Sequence, residues 1–152
     1  MPIRLSTGFR NAMLGSQSVQ DILHNGVIRV FPGNQPTSAD DAEGISHLLE
    51  ITVSSGAFTP GSPANGLQLD EPAGGVLVKL PSQIWSGVGV QAGTAAWFRY
   101  YANDRTTGAS TTAARIDGVC GVSSGQLQMG TTTITLNATT TVDSWVVTAP
   151  AS

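Results

Sequence analysis

At Val27 the hydrophobic pattern of this chain changes period. Before it, two short stretches space their apolar residues as a helix does; after it, apolar residues alternate with Thr, Gln and Ser, and the breaks are Gly, Pro, Asn and Ser. A period of two cannot lay an apolar stripe along a helix, so the chain beyond this point must fold as strands with one or both faces covered. Candidate strands are 27–31, 47–53, 66–69, 75–80, 84–90, 95–102, 114–122, 126–129, 132–136 and 140–149. Many short strands separated by turn residues form two packed sheets or a closed one, and an eight-stranded jelly roll fits the number. The expected fold class is all-β: an antiparallel β-sandwich of jelly-roll type with one or two short N-terminal helices. Its expected divisions are an N-terminal arm over residues 1–26 and a sandwich domain over residues 27–152, within one sizeable core.

The helical signals are local. Ser6 can cap a segment in which Phe9 and Met13 share a face, with Gly15 as the stop. Ser18 can cap a second, with Asp21 three residues on, Val19, Ile22 and Leu23 on one face, and Gly26 at its end. Neither is long enough to stand alone, so Phe9, Met13, Ile22 and Leu23 must be covered by the sheet or by a partner.

Bulk is concentrated in Trp85, Trp97, Phe98, Tyr100 and Tyr101. The pairs Trp97-Phe98 and Tyr100-Tyr101 must point to opposite faces of one strand, so one member of each is core and the other is sandwiched or at an interface. Two loops are expected as contact sites: 59–66, which carries Pro60 and Pro63, and 103–112, polar and without apolar anchors, which carries Arg105.

Only 11% of the residues are charged, against roughly a quarter in an average soluble protein, which implies a surface partly covered by neighbours. Seven basic residues against ten acidic ones give a net charge of −3, and no basic run tracks a phosphate backbone, so nucleic acid is not expected as a direct partner. No apolar stretch approaches the ~20 residues of a membrane span, and the start has no secretory pattern, so a protein made in a host cytoplasm is expected. Cys120 in Gly-Val-Cys-Gly-Val reads as a small buried side chain.

Several patterns imitate active sites. Gly121-Val-Ser-Ser-Gly125 fits a nucleophile elbow, but an alternating strand follows where a helix should, so a hairpin turn is expected. His24 and His47 have no nucleophile and orienting acid placed around them in sequence. Asp40, Asp41 and Glu43 lack calcium-loop spacing and read as a helical turn capped by Ser38. Asn137-Ala-Thr139 reads as a turn. No enzymatic activity, cofactor or metal is expected.

Leu5-Ser-Thr-Gly-Phe-Arg-Asn-Ala-Met-Leu14, Gly26-Val-Ile-Arg-Val-Phe-Pro-Gly-Asn-Gln-Pro36 with Ser38-Ala-Asp40, Ala95-Ala-Trp-Phe-Arg-Tyr100, Ile116-Asp-Gly118 and Val142-Asp-Ser-Trp145 together resemble small structural proteins of tailed-bacteriophage particles. The resemblance implies a virion protein, foremost a capsid cement or decoration protein on the head surface. Its partners would be the major capsid protein and copies of itself, as a dimer or trimer. Candidate interface residues are Phe9, Met13, Leu14, Pro60, Pro63, Trp97, Tyr100 and Arg105. Two other readings stand beside it: a neck or tail subunit, such as a collar or fibre base, and a carbohydrate-binding surface protein that stacks sugars on Trp85, Trp97 or Tyr100.

Overall fold

A computed structural model describes residues 3–149 and 151, so the expected ends of the arm and of the sandwich domain, at residues 1–2, 150 and 152, lie outside the described residues. The elements in chain order are β1 (Arg4–Leu5), α1 (Thr7–Gly15), α2 (Val19–Leu23), β2 (Val27–Phe31), β3 (Leu49–Val53), β4 (Val76–Val78), β5 (Trp85–Val88), β6 (Gly93–Thr94), β7 (Trp97–Tyr101), β8 (Arg115–Gly121), β9 (Leu127–Met129), β10 (Thr133–Ile134) and β11 (Thr139–Thr148). The fold is all-β with two short helices, as the period predicts.

The strands do not divide into two facing sheets. Hydrogen bonding runs from β8 through β7, β2, β3, β5 and β11 to β9, and β9 pairs back onto β8, which closes a seven-stranded barrel. The expected jelly-roll sandwich therefore gives way to a closed ring, with β1 added outside β8, β4 outside β11, and a separate β6–β10 pair. Two devices close it. The long β11 pairs β5 at its start, β9 in its middle and β4 at its end, with a register shift between Val142 and Ser144 that bends it round the ring. The second is β9, which runs parallel to β8, Cys120 opposite Leu127, so the intervening loop is no hairpin. That fold-back is too tight for side chains at Gly121 and Gly125: a Cβ at Gly125, where φ is +83°, would lie 2.5 Å from the Val119 carbonyl oxygen.

The inside of the barrel is filled. Trp85 and Trp145 both meet Tyr100 edge to face, at centroid distances of 6.1 and 5.2 Å, and all three are fully buried. Phe98 lies over Gly118, its cross-strand partner, where an added Cβ would stand 2.7 Å from the ring. Phe9, Ile22 and Leu23 join this same core, so of the two covers open to the helices the barrel itself supplies theirs.

Ser6 caps α1, accepting from the Phe9 N–H at 3.1 Å, and also bonds the Ala113 carbonyl and the Arg115 N–H. Ser18 and Asp21 form the expected capping box. Asn25, at φ +59°, turns the chain out of α2 in place of Gly26. Segment 66–69 contributes only isolated bridges, and β1 and β6 had no signal in the pattern.

Candidate interaction surfaces

The outward positions of β2, β7 and β8 carry residues that a solvent-facing strand would not hold. Cross-strand register places Glu50, Arg29, Arg99, Asp117 and Arg4 in one row over five strands, with Phe31 and Trp97 in the row above and Tyr101 and Arg115 in the row below. Two arginines directly opposite each other would repel. Each instead turns to an acid on its far side: Arg29 Nε donates to Glu50 at 2.7 Å, and Arg99 grips Asp117 through Nε at 2.6 Å and Nη2 at 2.8 Å.

This face is buried because two connections fold over it, residues 32–48 between β2 and β3 and residues 102–114 between β7 and β8. Arg99 and Arg115, both with no exposed area, tie them down by their main chains. Arg99 Nη1 donates to the Asp41 carbonyl at 2.9 Å. Arg115 donates to the Ala39 carbonyl from Nε and Nη2, and from Nη1 to those of Thr106 and Gly108. Glu43 completes the clamp, accepting from the Tyr101 hydroxyl and the Gly108 N–H and lying 3.3 Å from Arg99. Trp97 stacks on Phe31 at 4.3 Å beneath the same cover. Of the alternatives open for the paired aromatics, the structure selects the sandwiched one.

The charges respond to this burial. Desolvation alone would raise the Glu43 pKa, but the Tyr101 hydroxyl, the backbone N–H groups and Arg99 outweigh it and hold the carboxyl below its ordinary value. Burial pushes the Asp117 carboxyl up, against the pull of Arg99. Burial and the neighbouring Arg99 draw Arg115 down, whereas the Asp117 contacts overcome desolvation at Arg99 and strengthen its charge.

The candidate interface residues separate into two groups. Phe9, Trp97 and Tyr100 are buried within the chain, at 0%, 1% and 0% exposure, and cannot themselves meet a partner. With Trp85 also fully buried, the rings proposed for sugar stacking form no platform. Met13 and Leu14 stand exposed at the end of α1, at 37% and 85%, and Pro60 and Pro63 are exposed on their loop. Arg105 is half-buried over Phe58, bonded to Glu50 at 3.1 Å, with its backbone at φ +43°. The loop 103–112 is held by polar anchors, which come from Arg115, Glu43 and the Asp40 carbonyl.

Ser123 and Ser124 lie exposed in the fold-back loop, and Cys120 is buried with its thiol pKa pushed up by desolvation. His47, held below its ordinary pKa by burial and by Arg29, borders a surface notch of about 360 Å³ with Arg29, Ile45 and Val90. Ser38 caps only a turn, and Asp40 reaches α1 instead, accepting from the Thr7 N–H at 2.8 Å and from its hydroxyl at 2.6 Å. Among the described residues no cluster of His, Cys, Asp or Glu is arranged to hold a metal, and no helix is long and apolar enough to cross a membrane.

The buried charged row escaped the sequence reading. Its signal was the sharing of one strand face by Arg99 with Trp97 and Tyr101, two residues to either side, because a solvent face would not carry such bulk. No protein-family model, no curated protein and no solved structure matches this chain, so its reading rests on its own residues and geometry.

Proposed function

We propose that this chain is a non-enzymatic structural protein of a bacteriophage particle, foremost a capsid cement or decoration protein that binds the major capsid protein lattice and copies of itself. The observation that carries the reading is the clamped outer face. A filled barrel whose long connections are fastened by buried Arg99 and Arg115 presents its loops already held in place. Rigid presentation keeps the ordering cost of binding low, and many copies on a repeating lattice multiply modest contacts through effective concentration. The segments that resemble virion proteins support the same view, because they form β1 and α1, β2 and the start of its cover, β7, β8 and β11. They are the frame of the fold, not the rim of a site.

Immunogold labelling of intact and osmotically disrupted phage particles with antibody to this protein tests the proposal. Label spread over heads, together with earlier bursting of particles that lack the protein, is the expected result. Label confined to the neck or tail assigns it to a collar or fibre base, and absence from every particle overturns the virion reading altogether.

A further inference from the structure

The two connections over the outer face leave a surface notch of about 360 Å³, lined by Arg29 of β2, Glu43, Ile45 and His47 of the first connection, Thr107 of the second and Val90 beyond β5. Its charges do not balance. Arg29 and Arg105 share one acid: Glu50 accepts from Arg29 Nε at 2.7 Å and from Arg105 Nη1 at 3.1 Å. Glu43, the acid in the wall, is already engaged by the Tyr101 hydroxyl, the Gly108 N–H and Arg99. On a chain of net charge −3, this corner therefore sets two cations against one free-standing acid. Arg29 gives Glu50 only its Nε; Nη1 and Nη2 bond to none of the described residues, and the side chain keeps 20% of its area exposed. The His47 ring meets Phe31 edge to face and hydrogen-bonds to no described residue. Beside these groups stand two exposed aliphatic side chains, Ile45 at 47% and Val90 at 59%.

We infer that this notch is a docking point for a carboxylate flanked by an apolar group, supplied by an acidic side chain next to an aliphatic one on a segment of another protein. The two open guanidinium nitrogens of Arg29 match the two oxygens of a carboxylate, a pairing with direction as well as charge. Ile45 and Val90 give the aliphatic neighbour a surface to cover, and that cover keeps water from the ion pair. A second copy of this chain does not offer such a ligand. Its exposed acids Asp21 and Asp143 adjoin the buried Ile22 and Val142, and Asp41, Glu71 and Asp104 have no large aliphatic neighbour in sequence. The occupant is therefore a foreign segment, acidic where this corner is basic.

The inference deepens the proposed docking on a partner but needs no particle for its test, so its failure and that of the virion reading are told apart. The probe is N-acetyl-leucine, a carboxylate beside an isobutyl group, titrated into the full chain and followed by two-dimensional amide NMR. Binding with a Kd on the order of 1–10 mM, with shifts centred on Ile45, His47 and Val90, is expected. N-acetyl-leucinamide, which lacks the charge, should bind at least about tenfold more weakly, as should N-acetyl-leucine to Arg29→Gln. Ile45→Ser, at an exposed position, should weaken the probe about threefold and leaves the ion pairs of Arg29 intact. His47 supplies a separate readout. Burial, Arg29 and Arg105 hold its pKa below the ordinary value against the pull of Glu50, with Glu43 across the notch, so a bound carboxylate should raise it and the amide should not. No shifts at the notch with about 50 mM probe overturn the inference. So does equal binding of the amide, or of sulfate, which would leave a bare apolar or anion contact.

Discussion

Replacing Asp117 by Asn keeps the shape of the side chain and removes only its charge and one acceptor. Arg99 has no exposed area, so its guanidinium cannot turn to water, and its remaining acceptors are the Asp41 carbonyl and one oxygen of Glu43 at 3.3 Å. Of the two charge-assisted bonds of 2.6 and 2.8 Å, one is weakened to a bond with a neutral amide oxygen and the other becomes donor facing donor. Stranding one member of a buried pair costs about 3–5 kcal/mol. For a chain of this length that amounts to a fall in melting temperature of roughly 6–20 °C. Glu50→Gln is the internal comparison: its pairs with Arg29 and Arg105 are both partly exposed, so their loss together should stay within about 1–2 kcal/mol. Urea unfolding followed by fluorescence of Trp85, Trp97 and Trp145, all buried, reports both variants. The double variant Arg99→Met, Asp117→Leu should recover much of the loss, because no charge is then left alone. A cost for Asp117→Asn no larger than that for Glu50→Gln, at unchanged m-value, would refute the reasoning that this pair is dry.

Three further outcomes are expected. Because the Glu43 pKa is depressed in the fold, its stabilisation is complete above the ordinary carboxylate range and drains away as pH falls through the folded value; acid titration of stability should be shallower in Glu43→Gln below about pH 4. Gly8→Ala should cost about 1–3 kcal/mol in urea unfolding, since its Cβ would be driven into the Thr112 carbonyl. Tyr100→Phe should be neutral or stabilising by up to about 1 kcal/mol in the same assay, because the buried Tyr100 hydroxyl has no hydrogen-bond partner among the described residues.

What the sequence disclosed was what neighbours in the chain decide. The caps at Ser6 and Ser18 and the runs 27–31, 95–102, 114–122 and 140–149 were legible because a cap or an alternation is local. Closure was not. A sandwich and a small barrel impose the same alternation, and the difference lies in three residues of β9 that pair with strands on both sides. The two-residue β1 carries too few positions to show a period at all. At the candidate surfaces, Met13, Leu14, Pro60 and Pro63 are exposed, whereas Tyr100 faces the barrel interior and Trp97 lies on the outer face, where strand 97–101 alone does not reveal that residues 32–48 return to cover it. Asp40 was read within its own turn because its partner, Thr7, is 33 residues away.

Arg99 and Arg115 hold the outer connections by the carbonyl oxygens of Ala39, Asp41, Thr106 and Gly108, groups that every amino acid supplies alike. The clamp is therefore indifferent to the identity of most side chains it secures. Positions such as Ala42, Thr107, Ala109 and Thr111, exposed on these connections, can change without loosening the body that carries them. A fold fastened in this way separates the residues that hold the cover from those the cover can exchange.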